Sequence, residues 1–516
     1  MQEQQYYTTP YFIVTVIFIV LTLIVIRSIL KNNKRLQLSI AGSKKKKIEL
    51  PYFPRFCSSR AIVCYMATLI LASALFISHV LPFQFILFGA AAVLLFFLYS
   101  TKLTKSWHKF DSGKFTNKLF FTALVIRLVY VFFIYYYYVE MTGRPHMYHA
   151  GDELWYQYMG ERWREDGFSA FLEALALYGD LDDSGYCWWL GLIYKIMGTN
   201  VLTARSIKCL LDSCTCVLIY SLAKRNFGEN VARMASIFYM LMPNAWYYCG
   251  LTLKETEMTF VGVIFVERAD LALRFSKIKI KDLFVPIFAV AIMLTFRTAM
   301  AGVMVAALIA AIILSSKKQL QTWKKVLLSV VFGVWMFAIV GVELREETQR
   351  LWEGRTDNQE VGYMARSDQS AGGNSFAQYA TATAFAPLIF TIPFSTLVNV
   401  PTQENQMMLN GANFIKNILS VFVVFALIIL VIRREWRQHV LPIAVMCGYL
   451  LVLVFSNFAH AERFHFPVLC LELMFAAYGV SQMTNKHKRW FKLWLVLVCL
   501  FNIAWTFIKL SGRGLI

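Results

Sequence analysis

The chain is 516 residues long, 58% hydrophobic and only 16% charged, with a formal net charge of +20. That composition excludes an ordinary soluble globular fold, which could not hide so much apolar surface. It also excludes a nucleic-acid-binding patch as the source of the basic surplus. The lysines and arginines sit in short segments between apolar runs, the cytoplasmic bias of membrane-protein loops, and anionic lipid headgroups supply the counter-charge.

Apolar runs of about 20 residues, enough for a ~30 Å hydrocarbon core, recur along the whole chain. Clear cases are 11–30, 61–80, 119–139, 326–342 and 414–432. Backbone groups in lipid must be satisfied within the segment, and these runs are too long and too unalternating for barrel strands, so they are read as helices. The first carries Arg27, Lys31, Lys34 and Arg35 on its C-terminal side, opposite to a cleavable signal, and reads as a retained helix with its N-terminus outside. Basic segments at 31–47, 102–118, 224–233, 274–281, 317–325, 433–437 and 486–492 are then inside. The ten cysteines show no metal spacing, and most fall in apolar runs as small buried hydrophobes.

Alternation places 140–200 outside, with short amphipathic helices expected at 153–164 and 168–178. A span at 201–222 returns inward, and two hairpins of short spans follow at 231–273 and 283–314, containing Pro243 and Pro286. The run 326–342 exits to a polar segment, 343–380, followed by an outer-leaflet hairpin at 381–400. Three spans after Phe414, with 457–465 outside, and a last one ending near Lys509 complete the bundle. The expectation is an all-α polytopic membrane protein of roughly 13–14 spans. Its divisions are 1–118 (N-terminal helices), 119–345 (core with the external loop), 346–413 (second external loop and hairpin) and 414–516 (C-terminal helices).

The first external loop opens with Arg144, His146, Tyr148, His149, Asp152, Glu153, Trp155, Tyr156 and Tyr158. Two adjacent carboxylates just beyond a membrane exit place a candidate general base at the bilayer surface. On a helix Asp152 and Tyr156 share a face while Glu153 points elsewhere, so one carboxylate suffices for a substrate. The competing reading is that both acids merely open a helix.

The sequence Gly151-Asp152-Glu153 with Tyr156, the aromatic stretch 185–198 with Trp188, Trp189 and Tyr194, then Arg205, Tyr220 and Arg225-Asn226-Phe227-Gly228, form an ordered set. Further along stand Met242-Pro243, Lys254-Glu255 and Glu462-Arg463-Phe464 with Pro467. This set, over roughly 119–479, resembles membrane glycosyltransferases of the C superfamily. It is similar in particular to bacterial proteins like the dolichyl-phosphate-mannose protein mannosyltransferases and the lipid A aminoarabinose transferase. Two departures stand out: the turn 179–185 is acidic where the family usually has proline, and three helices precede the family's first span. The resemblance implies an acidic residue in the first large external loop and a sugar donor carried on a polyprenyl phosphate.

The residues accommodate that chemistry. A carboxylate must deprotonate the acceptor hydroxyl as it attacks the anomeric carbon, and cations must hold the departing phosphate. Asp152 is the expected base, with Glu153 second. The expected phosphate and substrate contacts are Arg463, Lys254, Glu255, His460, His465, Arg144, His149, Arg205, Arg297 and Tyr156; for Arg463 the rival is a snorkelling interfacial arginine. The deeper charges Arg127, Lys208, Asp212, Glu257, Glu267 and Glu472 are expected to pair within the bundle. Asp180, Asp182 and Ser184 begin like a calcium loop, but its twelfth position is Gly191 instead of Glu, so no metal and no cofactor is assigned.

The expected function is transfer of a sugar from a polyprenyl-phosphate donor, undecaprenyl in a bacterium, to a hydroxyl on a glycan, lipid or protein, with inversion. The site would lie on the external face of the plasma membrane, with membrane lipids and no nucleic acid as partners. Two rivals remain. An oligosaccharide polymerase or ligase with a lipid-diphosphate donor would place its chemistry at Arg345, Arg350, Arg355 and Arg366. A lipid-linked-sugar flippase or transporter should show inverted repeats, and none is detected.

Overall fold

The computed structural model describes residues 50–178, 182–274, 280–314, 386–456, 459 and 461–516, with the side chains of 166–178, 280–283 and 386 left aside. The apolar runs at 11–30 and 326–342, the polar segment 343–380 with its four arginines, and His460 lie outside the described residues.

Among the described residues, seven helices are long and apolar enough to cross a membrane. In chain order the helices are α1 (Arg55–Leu75), α2 (Phe83–Ser106), α3 (Ser112–Thr142), α4 (Gly151–Tyr178), α5 (Ser184–Met197), α6 (Val201–Phe227), α7 (Glu229–Leu241) and α8 (Pro243–Cys249). They continue as α9 (Glu255–Arg274), α10 (Ile280–Phe296), α11 (Thr298–Leu314), α12 (Glu404–Met408), α13 (Asn410–Ile432), α14 (Val440–Phe455), α15 (Glu462–Ser481) and α16 (His487–Ser511). The only β pairing among the described residues is an isolated bridge between Val80 and Val398. The all-α polytopic fold expected from the apolar runs is therefore the one observed.

Local signals explain several ends. Asn200 caps α6 by accepting from the backbone N–H groups of Leu202 and Thr203 at 2.9 and 3.2 Å, and Gly228 ends it at φ 92°, a conformation that a side chain would strain. Pro243 sits at the first position of α8, where its missing N–H costs nothing, so the span expected from 231 breaks at Met242.

Burial sorts the spans into pillars and periphery. The most apolar window of α15 is 100% buried and that of α6 83%, against about a third for α1, α2 and α3. The peripheral helices expose Val63, Ile70, Val125 and Val129, the lipid-facing surface such a bundle requires. Close packing of the pillars depends on small residues: a Cβ on Gly479 of α15 would collide with the backbone carbonyl of Phe422 on α13, and one on Gly411 with the backbone of Gly89.

Most charges deep in the bundle are paired, as their cost in a low-dielectric interior demands. Arg127 contacts Asp212, which also accepts from Tyr239. Lys208 donates to Leu251 O at 2.7 Å and lies 3.6 Å from Glu257. Arg225 holds Glu267 at 2.6 Å, and Lys416 lies 3.7 Å from Glu472.

The two ends of the bundle differ in the way the alternating loops require. At one end, Arg233 donates to Trp107 O and Phe110 O at 2.8 and 2.6 Å, and His439 meets Asn226 at 2.8 Å. That joins 107–110, 225–233 and 436–439 into a basic end. The opposite end gathers α4, the turn 182–183, the 250–254 loop, the α10–α11 break, α12 and the start of α15.

Two local expectations are corrected. The stretch 151–178 is one continuous helix and not two short ones, because nothing between 164 and 168 stops it: Gly167 alone costs about 1 kcal/mol in a helix, and no proline or cap follows. The described part of the 381–400 run is no helical hairpin. After a single turn at Ala386–Leu388 it runs as an irregular strap, held by Lys416 Nζ on Ile392 O at 2.9 Å, Asn417 on Pro393 O at 2.9 Å, and Asn502 accepting from the Ser395 N–H at 2.7 Å. Its two prolines withhold backbone donors that a helix needs, and buried polar side chains satisfy the freed carbonyls instead.

Candidate active site at one end of the bundle

α4 begins after a tight turn in which His149 adopts φ 52° and the Gly151 N–H reaches His149 O at 2.9 Å. Its first turn carries Asp152 and Glu153, where the helix dipole favours carboxylates. Consecutive residues are about 100° apart around a helix, and the two acids meet different surroundings.

Glu153 is fully buried. It accepts from the backbone N–H of Met147 at 2.7 Å, from Arg205 Nη2 at 3.2 Å and from the backbone N–H of Thr252. Arg205, also fully buried, donates further to Pro145 O at 2.6 Å and Thr252 Oγ1 at 3.3 Å. This pair ties the start of α4 to α6 and to the 250–254 loop. Asp152 instead keeps about half of its side chain exposed and is gripped by Arg463 Nη1 from the first turn of α15.

Around that contact stands a ring of charge. Arg463 lies over the Phe464 ring at 4.8 Å, and Arg297, from the break between α10 and α11, lies over the same ring at 4.6 Å. The Arg297 guanidinium makes no hydrogen bond or ion pair among the described residues, and its Nε is buried without a partner. Lys254, 1% exposed, contacts the Asp183 carboxylate and donates to Phe296 O at 2.5 Å. Asp182 accepts from Thr298 N at 2.5 Å and Thr298 Oγ1 at 2.8 Å, capping α11 from across the turn. The acidic turn is thus a clasp between α5, α9 and α11.

Glu462 precedes Arg463 and takes Tyr248 Oη at 2.6 Å and Asn244 Nδ2. Tyr156, one turn after Asp152, is buried and stands edge-on to Tyr186 at 4.9 Å.

Burial sets the protonation of the flanking groups. It pulls the Lys254 ammonium down to about 7, with Arg297 adding repulsion and Asp182 and Glu255 opposing it. It lowers the His146 imidazole despite nearby Glu153, and raises the Tyr156 phenol well above its ordinary value.

Of the residues expected from sequence, Asp152, Tyr156, Lys254, Glu255, Arg297 and Arg463 come together. Glu153 and Arg205 lie next to them but turn into the protein. Arg144 is exposed and lines a separate hollow of about 320 Å³ with His146, Leu154, Gln157, Tyr158 and Glu161, on the face of α4 turned away from Asp152. His149 meets Glu404 at 3.2 Å. His465 faces inward, 2.8 Å from Lys416 Nζ and 2.7 Å from Ala459 O. Asp183, Asn244, Tyr248 and Phe464 also belong to the cluster. Phe464 already stood in the Glu462-Arg463-Phe464 set and Asp183 in the acidic turn; for Asn244 the only signal was its adjacency to Met242-Pro243, and nothing in the sequence pointed to Tyr248. Among the described residues no group of three or more His, Cys, Asp or Glu side chains is placed to hold a metal ion.

A family model described as dolichyl-phosphate-mannose-protein mannosyltransferase matches residues 185–342, and one described as the Alg9-like mannosyltransferase family matches residues 408–511. No curated protein and no solved structure matches the chain. The fold defines an integral multi-pass membrane protein. Both matching families are glycosyltransferases, and the chain is a membrane glycosyltransferase similar to those of the C superfamily. The first match carries Arg205, Lys254, Glu255 and Arg297 and the second carries Arg463; Asp152 precedes both.

Proposed function

We propose that this enzyme transfers a sugar from a polyprenyl phosphate to an acceptor hydroxyl, with Asp152 as general base and Arg463 and Arg297 receiving the donor phosphate. The observation that carries the reading is the contact between Asp152 and Arg463, beside Arg297, whose guanidinium makes no hydrogen bond or ion pair among the described residues. The two family names, both mannosyltransferases and one naming a dolichyl phosphate donor, support the donor class and make mannose the first sugar to test.

A carboxylate held by a guanidinium is a poor base. A donor phosphate arriving at Arg297 competes for Arg463, because a guanidinium fork suits phosphate as well as carboxylate. Asp152 is then released to take the acceptor proton. The acceptor oxygen bonds to the anomeric carbon, the bond from that carbon to the phosphate oxygen breaks, and polyprenyl phosphate leaves with its new charge on the two arginines. Attack opposite the leaving phosphate inverts the anomeric centre, through an oxocarbenium-like transition state by analogy with glycosidases.

The basic end of the bundle is taken as cytoplasmic, which puts Asp152 on the external face; in a bacterium the lipid carrier would be undecaprenyl phosphate and the acceptor a cell-envelope glycan, lipid or protein. The test is incubation of the purified full chain in lipid nanodiscs with octyl α-mannoside and a Ser/Thr-containing peptide and, in parallel reactions, radiolabelled polyprenyl-phosphate mannose or a radiolabelled polyprenyl-diphosphate oligosaccharide. Label appearing on either acceptor supports the reading. Consumption only of a polyprenyl-diphosphate oligosaccharide contradicts it.

A further inference from the structure

Among the described residues, Glu255 is the one carboxylate of the cluster that no hydrogen bond or ion pair satisfies. It is 4% exposed, its Oε2 is buried without a hydrogen-bond partner, and no ion pair or hydrogen bond reaches its side chain among the described residues. Its companions are all engaged: Asp152 by Arg463, Asp183 by Lys254, Asp182 by Thr298, Glu462 by Tyr248 and Asn244. Yet Glu255 is close enough to act electrostatically on Arg463, Lys254, Tyr156 and Tyr248, so it stands at the centre of the site.

A buried carboxylate with open lone pairs costs free energy that a native fold does not leave uncompensated without reason. Its place in the first turn of α9 gives it some support from the helix dipole, but that support supplies no hydrogen bond to Oε2. Arg463 and Lys254 act on it through space but make their direct contacts with Asp152 and Asp183, so no cation among the described residues bonds it. What remains for Glu255 is a neutral donor: a hydroxyl.

We propose that Glu255 accepts hydrogen bonds from a ring hydroxyl of the transferred sugar and so sets which hydroxyl pattern the enzyme takes. This rests on the proposed function, since it places the sugar between Asp152 and α9. A site built to bond a hydroxyl rejects an analogue lacking it far more strongly than an apolar pocket rejects a missing methylene, because the buried acceptor is left unpaired.

The experiment measures binding of polyprenyl-phosphate mannose and its 2-, 3-, 4- and 6-deoxy forms to the purified full chain in nanodiscs, which needs no acceptor. The native enzyme should bind the parent at least about tenfold, and up to about 100-fold, more tightly than one of the deoxy donors. Glu255→Ala should erase that gap by weakening the parent while leaving the selected deoxy donor unchanged, and Glu255→Gln, which keeps an acceptor without the charge, should narrow it. A variant that weakens every donor by the same factor overturns the role of Glu255 and leaves the proposed function standing. Tighter binding of an amino-sugar donor than of mannose by the native enzyme overturns the hydroxyl assignment in favour of an ammonium partner. A native enzyme that binds no polyprenyl-phosphate sugar contradicts the proposed function, and this proposal with it.

Discussion

Arg463 on α15 grips Asp152 on α4 across 311 positions of chain, at the end of the bundle opposite its basic loops. Neither residue is sequestered: 47% of the Asp152 side chain and 34% of that of Arg463 remain exposed. A surface ion pair of this kind contributes little to stability, so each partner is free to exchange for a substrate group without unfolding anything.

Arg463→Lys keeps a positive charge and loses the planar fork. The KM for the polyprenyl-phosphate donor should rise about tenfold, about 1.4 kcal/mol of binding, with the melting temperature in detergent unchanged. An unaltered KM would show that phosphate does not dock there.

Arg297→Ala removes a guanidinium that lies over the Phe464 ring but makes no hydrogen bond or ion pair among the described residues. Donor affinity should fall by roughly 10- to 100-fold, the worth of a charge-assisted hydrogen bond, while thermal stability stays within about 0.5 kcal/mol. Loss of stability without loss of affinity would make Arg297 a packing residue.

Glu153→Gln separates the two adjacent acids. The amide keeps an acceptor for only one of the Met147 and Thr252 N–H groups, which bond different carboxylate oxygens, sets an NH2 against the other, and leaves Arg205 buried without its counter-charge. Breaking such a pair costs about 3–5 kcal/mol, so the variant should melt markedly lower and express poorly. A stable, well-expressed Glu153→Gln that has lost only turnover would instead make Glu153 the chemical group.

Gly479→Ala should lower stability by about 1–3 kcal/mol, read as a thermal shift of the purified protein, because the added methyl meets the Phe422 backbone and not a movable side chain.

Much of this architecture was legible before any coordinates. The spans are visible because a hydrocarbon core demands about 20 apolar residues in a row, and α3, α6, α13 and α16 fall where the runs predict. Loop alternation was enough to put Asp152 and Arg463 at the same end. What escaped was everything decided by the phase of a helix or by a distant partner. Glu153 reads like Asp152 in sequence, yet about 100° of rotation sends it into the protein. The turn holding Asp182 and Asp183 reads as an incomplete calcium loop, but it clasps Lys254 and caps α11, neighbours that only the packing of α5 against α11 brings near. His465 lies two residues from Arg463 and turns the other way, onto Lys416.

The measurement that bears most directly on the account is single-turnover sugar transfer from polyprenyl-phosphate mannose by the Asp152→Asn enzyme. The account predicts a rate lower by about 10²- to 10⁴-fold, the usual worth of a general base, with donor affinity and melting temperature close to those of the native protein. Transfer at the native rate after that substitution would contradict it.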